Sequence, residues 1–477
     1  MLDLIIRGGQ VVTTWGVGEW DVAVQGEKIV AIAEPGTLPA EVGRIIDASG
    51  KIVVPGGIEP HAHVASPVPG RPGAKTSPPE PASRAALFGG TTTLTDFAIQ
   101  HQGLDIPQAI AERTLTWRGN SYCDYSHHCM LMGEIPLNVI AQVKEAIEEG
   151  FPTFKIFTTN IRPTELLTTV DQRRLVGMGH VSGVMEQAAN HGGLMFVHAE
   201  DDDIVQYMYQ KLTREERTEW YNIHEVHNNM SEDLAFRRVL RLSEWTGAAV
   251  YFVHVSAKEG LNAIREARGR GLPVYGETLH NYVSFNAEDY KRPDGPQYHT
   301  YPSLKSEEDR LALWDGLLKG GINSMATDGS CTEFAMKVQG RTIHDVSGGH
   351  HGIETRMGIT YSEGVAKRGM SLEQFVDITS TNAARIMGYY PRKGAIAPGS
   401  DADIVLIDPG IQKTLSLSDL HLGDYSIWEG WDIQGWPVTT ILRGKVMVEG
   451  GQFFGSPTDG QFIPRKIASE ILSRPAC

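Results

Sequence analysis

The chain has 477 residues, enough for two or three domains or for one large barrel with an appendage. At 41% hydrophobic and 21% charged it has the composition of a soluble globular protein. Its formal net charge of −15 argues against nucleic acid and against an anionic membrane as partner, because both require a basic face.

The first fifty-odd residues predict short strands at 4–12, 20–24 and 28–32, broken by Gly or polar turns. An apolar strand then leads from Lys51 into His61-Ala-His63. A Pro- and Gly-rich stretch at 64–83 has no periodicity and is expected to act as a lid. Downstream the pattern becomes helix, glycine, strand. A helix over 137–149 ends at Gly150 and leads into Phe154-Lys-Ile-Phe157. A helix over 181–191 precedes Gly192-Gly193 and the strand 194–198, which ends in His198. A helix over 231–245, with Ser231 as its N-cap, precedes Gly247 and a strand ending at His254. Ser306 and Asp309 form a capping-box pattern that starts a helix to Lys319, followed by Gly320-Gly321 and a strand ending at Asp328. A second non-periodic stretch, 329–352, is also expected to be a lid. Strands at 401–408 and 439–448 match the β-rich start of the chain.

Repeated αβ units with polar residues at strand ends predict a parallel (β/α)8 barrel, the TIM-type fold, because a strand exposes only its last residues at the barrel mouth. The β-rich ends are expected to meet in one small β-sandwich domain. The expected division is 1–57 with 390–477 for that domain and 58–389 for the barrel. The four cysteines, Cys123, Cys129, Cys331 and Cys477, contain no Cys-x-x-Cys pair and make no disulfide framework. Residues 1–7 lack the pattern of a signal peptide, and no run of eighteen apolar residues occurs. A cytoplasmic location is expected.

The candidate ligands are His61, His63, Lys155, His198, His254 and Asp328. Four histidines, a lysine and an aspartate on strand ends point to a two-metal hydrolase. Lys155 lies among Phe154, Ile156 and Phe157, so burial is expected to lower its pKa. A neutral amine can add carbon dioxide to give a carbamate, which converts lysine into a carboxylate able to bridge two ions. His198 and His254 are expected to bind as neutral imidazoles. Asp328 is expected to take the proton of the attacking hydroxide and pass it to the leaving nitrogen.

Nine segments carry a resemblance. They are Pro-Gly-Gly-Ile-Glu-Pro-His-Ala-His at 55–63, Gly-Gly-Thr-Thr-Thr-Leu-Thr-Asp-Phe at 89–97, Phe-Lys-Ile-Phe at 154–157, Val-His-Ala-Glu at 197–200, Val-His-Val-Ser at 253–256, Gly-Ile-Glu-Thr-Arg-Met at 352–357, Gly-Ser-Asp-Ala-Asp-Ile-Val at 399–405, Gly-Trp-Pro-Val at 435–438 and Leu-Arg-Gly-Lys-Val at 442–446. Together they resemble the dihydropyrimidinase/hydantoinase group of cyclic amidohydrolases, nearly end to end. The resemblance implies a distorted TIM barrel, a β-sandwich from both termini, a carboxylated Lys155, two Zn2+ (or Mn2+ or Co2+) ions per subunit, a small-molecule amide substrate and a homotetramer or homodimer.

The substrate shell departs from the group. Its members commonly carry a carbonyl-polarising tyrosine five residues after the bridging lysine, where this chain has Asn160. The usual Ser-Pro-Pro-Leu-Arg segment reads Tyr-Pro-Ser-Leu-Lys at 301–305 and the usual Ser-Asp-His-Cys-Pro reads Thr-Asp-Gly-Ser-Cys at 327–331. Gly348 takes the place of an asparagine. Asn160, His280, Tyr301 and His350 are the candidate substrate-binding residues, and dihydrouracil and simple hydantoins are expected to be poor substrates. Dihydroorotate is disfavoured, since Val64-Ala65-Ser66 offers no arginine after His-Ala-His. The alternatives are hydrolysis of a linear amide, carbamate or urea, and a non-catalytic scaffold like the collapsin-response proteins. The latter lack the ligands present here.

Overall fold

The computed structural model describes residues 2–39, 41–167 and 172–477. Eight parallel strands run in sequence order around the barrel: β1 Gly57–Glu59, β2 Thr91–Gln100, β3 Asp124–Leu131, β4 Thr153–Phe157, β5 Leu194–His198, β6 Ala249–Phe252, β7 Val274–Leu279 and β8 Ser324–Ala326. Nearly every residue in them is buried, as expected of a sheet covered on both faces. Helices such as Ile106–Trp117, Met178–His191, Asn229–Thr246, Lys258–Gly269 and Glu307–Lys319 make the crossovers. Beyond β1 and β8 the ring closes through a parallel bridge between Ala62 and Gly329, where the His63 amide donates to the Gly329 carbonyl at 2.8 Å. The seam therefore lies beside His61, His63 and Asp328.

Both chain ends build one nine-stranded mixed sheet. Ile52–Pro55 pairs antiparallel with Ile404–Thr414 and joins the two halves. Leu2–Thr13 pairs with Gly16–Gln25 along one edge and changes partner along the other, from Val42–Asp47 to Ile52–Pro55. Leu4, Ile6, Val11, Val22, Val53, Ile404 and Ile441 form the core of this sheet. Lys393, with 1% of its side chain exposed, ties the sheet to the barrel. Its ammonium meets Asp124 at 2.5 Å, Asp403 at 2.7 Å and Asp401 at 3.0 Å.

Local chemistry accounts for the element ends. Ser306 and Asp309 form the predicted capping box. The helix predicted from Ser231 begins at Asn229 instead, because Asn228 Oδ1 accepts the Ser231 amide at 3.0 Å and serves as the cap. The helix predicted over 137–149 is two short pieces, Leu137–Ala141 and Val143–Glu148. The single strand predicted over 439–448 is a hairpin between Asp432–Leu442 and Lys445–Glu449. Arg443 and Gly444, at φ +45° and +78°, make the two-residue turn that such a hairpin requires. Among the described residues no helix is long and apolar enough to cross a membrane.

Candidate metal centre

The six candidate ligands meet at the C-terminal mouth of the barrel, where all of them line one cleft. His61 and His63 follow β1, Lys155 is central in β4, His198 ends β5, and His254 and Asp328 each lie two residues beyond their strands. His254 and Asp328 have φ of +39° and +48°. Left-handed backbone costs a non-glycine residue free energy, and two such residues facing one cleft mark a site held in place by its surroundings.

The His61 amide donates to Glu59 Oε1 at 2.9 Å, and His61 Nδ1 lies 2.5 Å from Glu277 Oε1. With Glu277 ionised, Nδ1 is the donor and Nε2 carries the free lone pair. Nε2 is buried with no hydrogen-bond partner, 3.2 Å from Asp328 Oδ1. His63 Nε2 lies 3.1 Å from the same oxygen and its ring stacks on Phe97 at 4.6 Å. One ligand atom from each of His61, His63 and Asp328 falls within 4.8 Å of the others. A buried imidazole nitrogen without a partner, beside a second imidazole and a carboxylate, is a donor set that a Lewis-acidic divalent cation would complete. His198 gives its Nε2 to Glu200 at 2.8 Å, so its Nδ1 is the atom left for a ligand role. His254 meets His198 edge to face at 4.5 Å and His61 at 5.5 Å, which links the two halves of the centre.

Burial dominates the electrostatics. It lowers His61 to about 3 and His198 to about 4 and drives His254 well below the ordinary imidazole range. All three are neutral at pH 7, the form that donates a lone pair to a cation. Burial would raise the Asp328 carboxyl, but His61, His63 and Lys155 hold it below the usual carboxylate range. Lys155 is 1% exposed, and its Nζ lies 5.1 to 5.6 Å from the rings of Phe157, Phe196 and Phe97. Burial lowers it to about 7, so a large share is uncharged amine near neutrality.

The carboxylates behind the ligands were not legible as site residues. Glu277 accepts from Tyr251 Oη at 2.8 Å and the His254 amide at 3.2 Å as well as from His61, and burial pushes it up to about 8. Glu200 bridges His198 and His227, both at 2.8 Å. An acidic residue inside the apolar Val274–Leu279 was the one signal for Glu277. Glu277→Gln is expected to weaken metal affinity roughly 10- to 100-fold, since partners of ligating imidazoles typically matter by that factor. Competition against a chromophoric chelator measures it.

Of the four substrate candidates, Tyr301 lines the cleft, with its hydroxyl on the Val346 carbonyl at 3.2 Å. The other three do not. Asn160 Oδ1 accepts the amides of Arg174 at 2.9 Å and Leu175 at 3.2 Å. His280 stacks on Trp428 at 4.2 Å and contacts Thr355 Oγ1 at 3.1 Å through Nε2. His350 is packed beside both rings, at 5.5 and 5.6 Å. Arg174, in an irregular segment, lines the cleft without any sequence signal.

Comparison with known proteins agrees with this geometry. The pattern of the Amidohydrolase family matches residues 52–447. A D-hydantoinase of Ralstonia pickettii is 34% identical over 476 residues, 98% of this chain and 99% of its own. The dihydropyrimidinase of Rattus norvegicus is 30% identical over 98% of this chain and 90% of its own. The crystal structure of dihydropyrimidinase from Brevibacillus agri superposes with a TM-score of 0.91 at 33% identity, over 98% of this chain and 100% of that one. The chain therefore belongs to the amidohydrolase family, within its hydantoinase and dihydropyrimidinase group.

Proposed function

We propose that the chain is a dinuclear metal hydrolase that opens a cyclic amide: a hydantoin, dihydropyrimidine, imide or related ureide. One observation carries the reading: six ligand-type side chains converge on one barrel mouth, three with ligand atoms within 4.8 Å. His61, His63, Asp328 and Lys155 would hold one ion, and Lys155, His198 and His254 the other. Two Zn2+, Mn2+ or Co2+ ions would polarise the amide carbonyl and lower the pKa of water. Lys155 would serve as the carbamate formed with carbon dioxide; its aromatic surroundings and lowered basicity support that chemistry. Asp328 accepts the proton of the attacking water and delivers it to the leaving nitrogen, which leaves poorly unless protonated. Glu277 and Glu200 hold His61 and His198 in their tautomers. The division into an end-sheet domain, 1–57 with 390–477, and a barrel, 58–389, is part of the proposal. It is supported by the passage from the end sheet at Pro55 to the barrel at Gly57. A homotetramer or homodimer in the cytoplasm completes it, checked by light scattering.

The test has two parts. Elemental analysis of active protein is expected to give about two divalent ions per chain, and trace metal in active protein would refute the centre. A hydrolysis screen of zinc-loaded protein against hydantoins, dihydropyrimidines, imides and linear ureides is expected to find ring opening. Turnover of linear amides alone would replace the cyclic reading by the linear one.

A further inference from the structure

Among the described residues one cation of the cleft makes no ion pair, although Asp328 acts on it through its field. Arg174 lines the cleft wall together with His63, Lys155, His198 and Asp328. Its guanidinium lies 5.0 Å over the Phe157 ring, the same ring that Lys155 Nζ approaches at 5.1 Å. Among the described residues, no carboxylate or carbonyl takes an ion pair or hydrogen bond from it. Burial lowers it to about 10, so it stays charged at neutral pH. Arg174 is half-buried, and a partly desolvated charge that makes no ion pair favours a compensating group.

The fold holds this arginine in place. Its amide and that of Leu175 both donate to Asn160 Oδ1. Leu175 bridges to Phe157, and the Val176 amide donates to the Phe157 carbonyl at 2.9 Å. Asn160 is thus the bracket that fastens the Arg174 segment to the end of β4.

Arg174 also opens onto a neighbouring chamber of about 750 Å³, which shares His63, Ser66 and Ile161 with the cleft. Among the described residues, its other lining cations outside ion pairs are Arg71, Lys75 and Arg162, against one acid, Glu112. A basic chamber in a chain of net charge −15 runs against the rest of the surface. Arg162 is engaged with the carbonyls of Pro69 at 3.2 Å and His344 at 2.6 Å, Arg71 reaches the Asp345 carbonyl at 3.4 Å, and Lys75 is exposed. Of these cations Arg174 is the one that lines both chamber and cleft.

We propose that Arg174 is a specificity-determining residue that seats a carboxylate carried on the side chain of the cyclic amide. A guanidinium presents a planar fork that matches a carboxylate with two parallel hydrogen bonds. A neutral side chain would leave the fork unpaired, so the site selects against it. The substrate class is a cyclic amide with an anionic substituent, which the basic chamber would also draw in by its field. This rests on the cyclic-amide reading above and names its substrate.

The experiment compares zinc-loaded wild type, R174Q and R174K on hydantoin-5-acetate and hydantoin-5-acetamide. Wild type is expected to favour the acid in kcat/KM. R174Q is expected to lower that acid-to-amide ratio roughly 10- to 100-fold, chiefly through KM, because a hydrogen bond to a charged group is worth about that much. R174K should restore part of it. An unchanged ratio in R174Q would overturn the proposal. So would loss of bound zinc in R174Q, which would assign the arginine to the centre instead. Calorimetry with succinate and succinamate tests the seat without turnover, since only the second carboxylate differs between them. A preference for succinate that depends on Arg174, in protein that opens neither ring, would retain the seat and reject the cyclic-amide reading. Ring opening with equal preference in all three proteins would do the reverse.

Discussion

Asp328→Asn is expected to lower kcat roughly 10³-fold or more while the protein folds and holds its metal. The carboxylate oxygen of Asp328 sits 3.2 Å from His61 Nε2 and 3.1 Å from His63 Nε2, at the seam where the barrel closes. Asparagine has nearly the same shape, and it is among the residues that tolerate the left-handed backbone at φ +48°. Its amide cannot accept a proton from water or return one to the leaving nitrogen. General acid–base catalysis contributes roughly 10²–10⁴-fold, and both directions of transfer are lost together here. Turnover, metal content and melting temperature, measured side by side, check the expectation. A variant within tenfold of wild type would show that another group moves the proton.

Lys155→Ala is expected to lose both metal and activity. Lys155 comes from the middle of β4, paired beside Met130 on one side and Phe196 on the other, so its Nζ enters the centre from a fixed backbone. His254 packs against both His198 and His61, but Lys155 is the residue assigned to hold both ions, with His61, His63 and Asp328 on one side and His198 and His254 on the other. The substitution leaves a hole walled by Phe97, Phe157 and Phe196. Acetate or propionate with bicarbonate is expected to restore part of the metal and part of the turnover by entering that hole. Plasma emission spectrometry of the purified variant, with and without the acid, reads the result. Full metal occupancy and normal turnover in Lys155→Ala would refute the bridging role.

The barrel was legible because its strands are apolar and end in polar residues that strand chemistry does not explain. His61, His63, His198, His254 and Asp328 stand out in that way and Lys155 as a lone cation inside an apolar strand, and the structure gathers all six in one cleft. The end sheet was legible from β-rich, Gly-broken segments at both ends. The hairpin at Arg443-Gly444 was not, because one continuous β-type run masks a two-residue turn when only one of the two residues is glycine. The supporting shell was harder still. Glu277 acts through His61 and Tyr251, residues far off in the chain, while Glu200 stands two residues after His198 in the segment 197–200 and joins it to the distant His227. Asn160 was singled out for its alignment with a tyrosine, whereas its side chain fastens the Arg174 segment. Arg174 itself lies in an irregular segment, where no periodicity points a side chain anywhere.

The strand Ile52–Pro55 leads within two residues into the barrel, yet it pairs with Ile404–Thr414. During synthesis the first sheet strands can pair with one another, but the free edge of Ile52–Pro55 must wait for residues 404–414 to leave the ribosome. At about 5–20 residues per second that interval is roughly 20–70 s. Throughout it the apolar edge of Ile52–Pro55 stands unpaired, and the route to His61 and His63 is not yet anchored. All six candidate ligands precede residue 404, so the strand that anchors the approach to His61 and His63 is joined only after the last of them has been made.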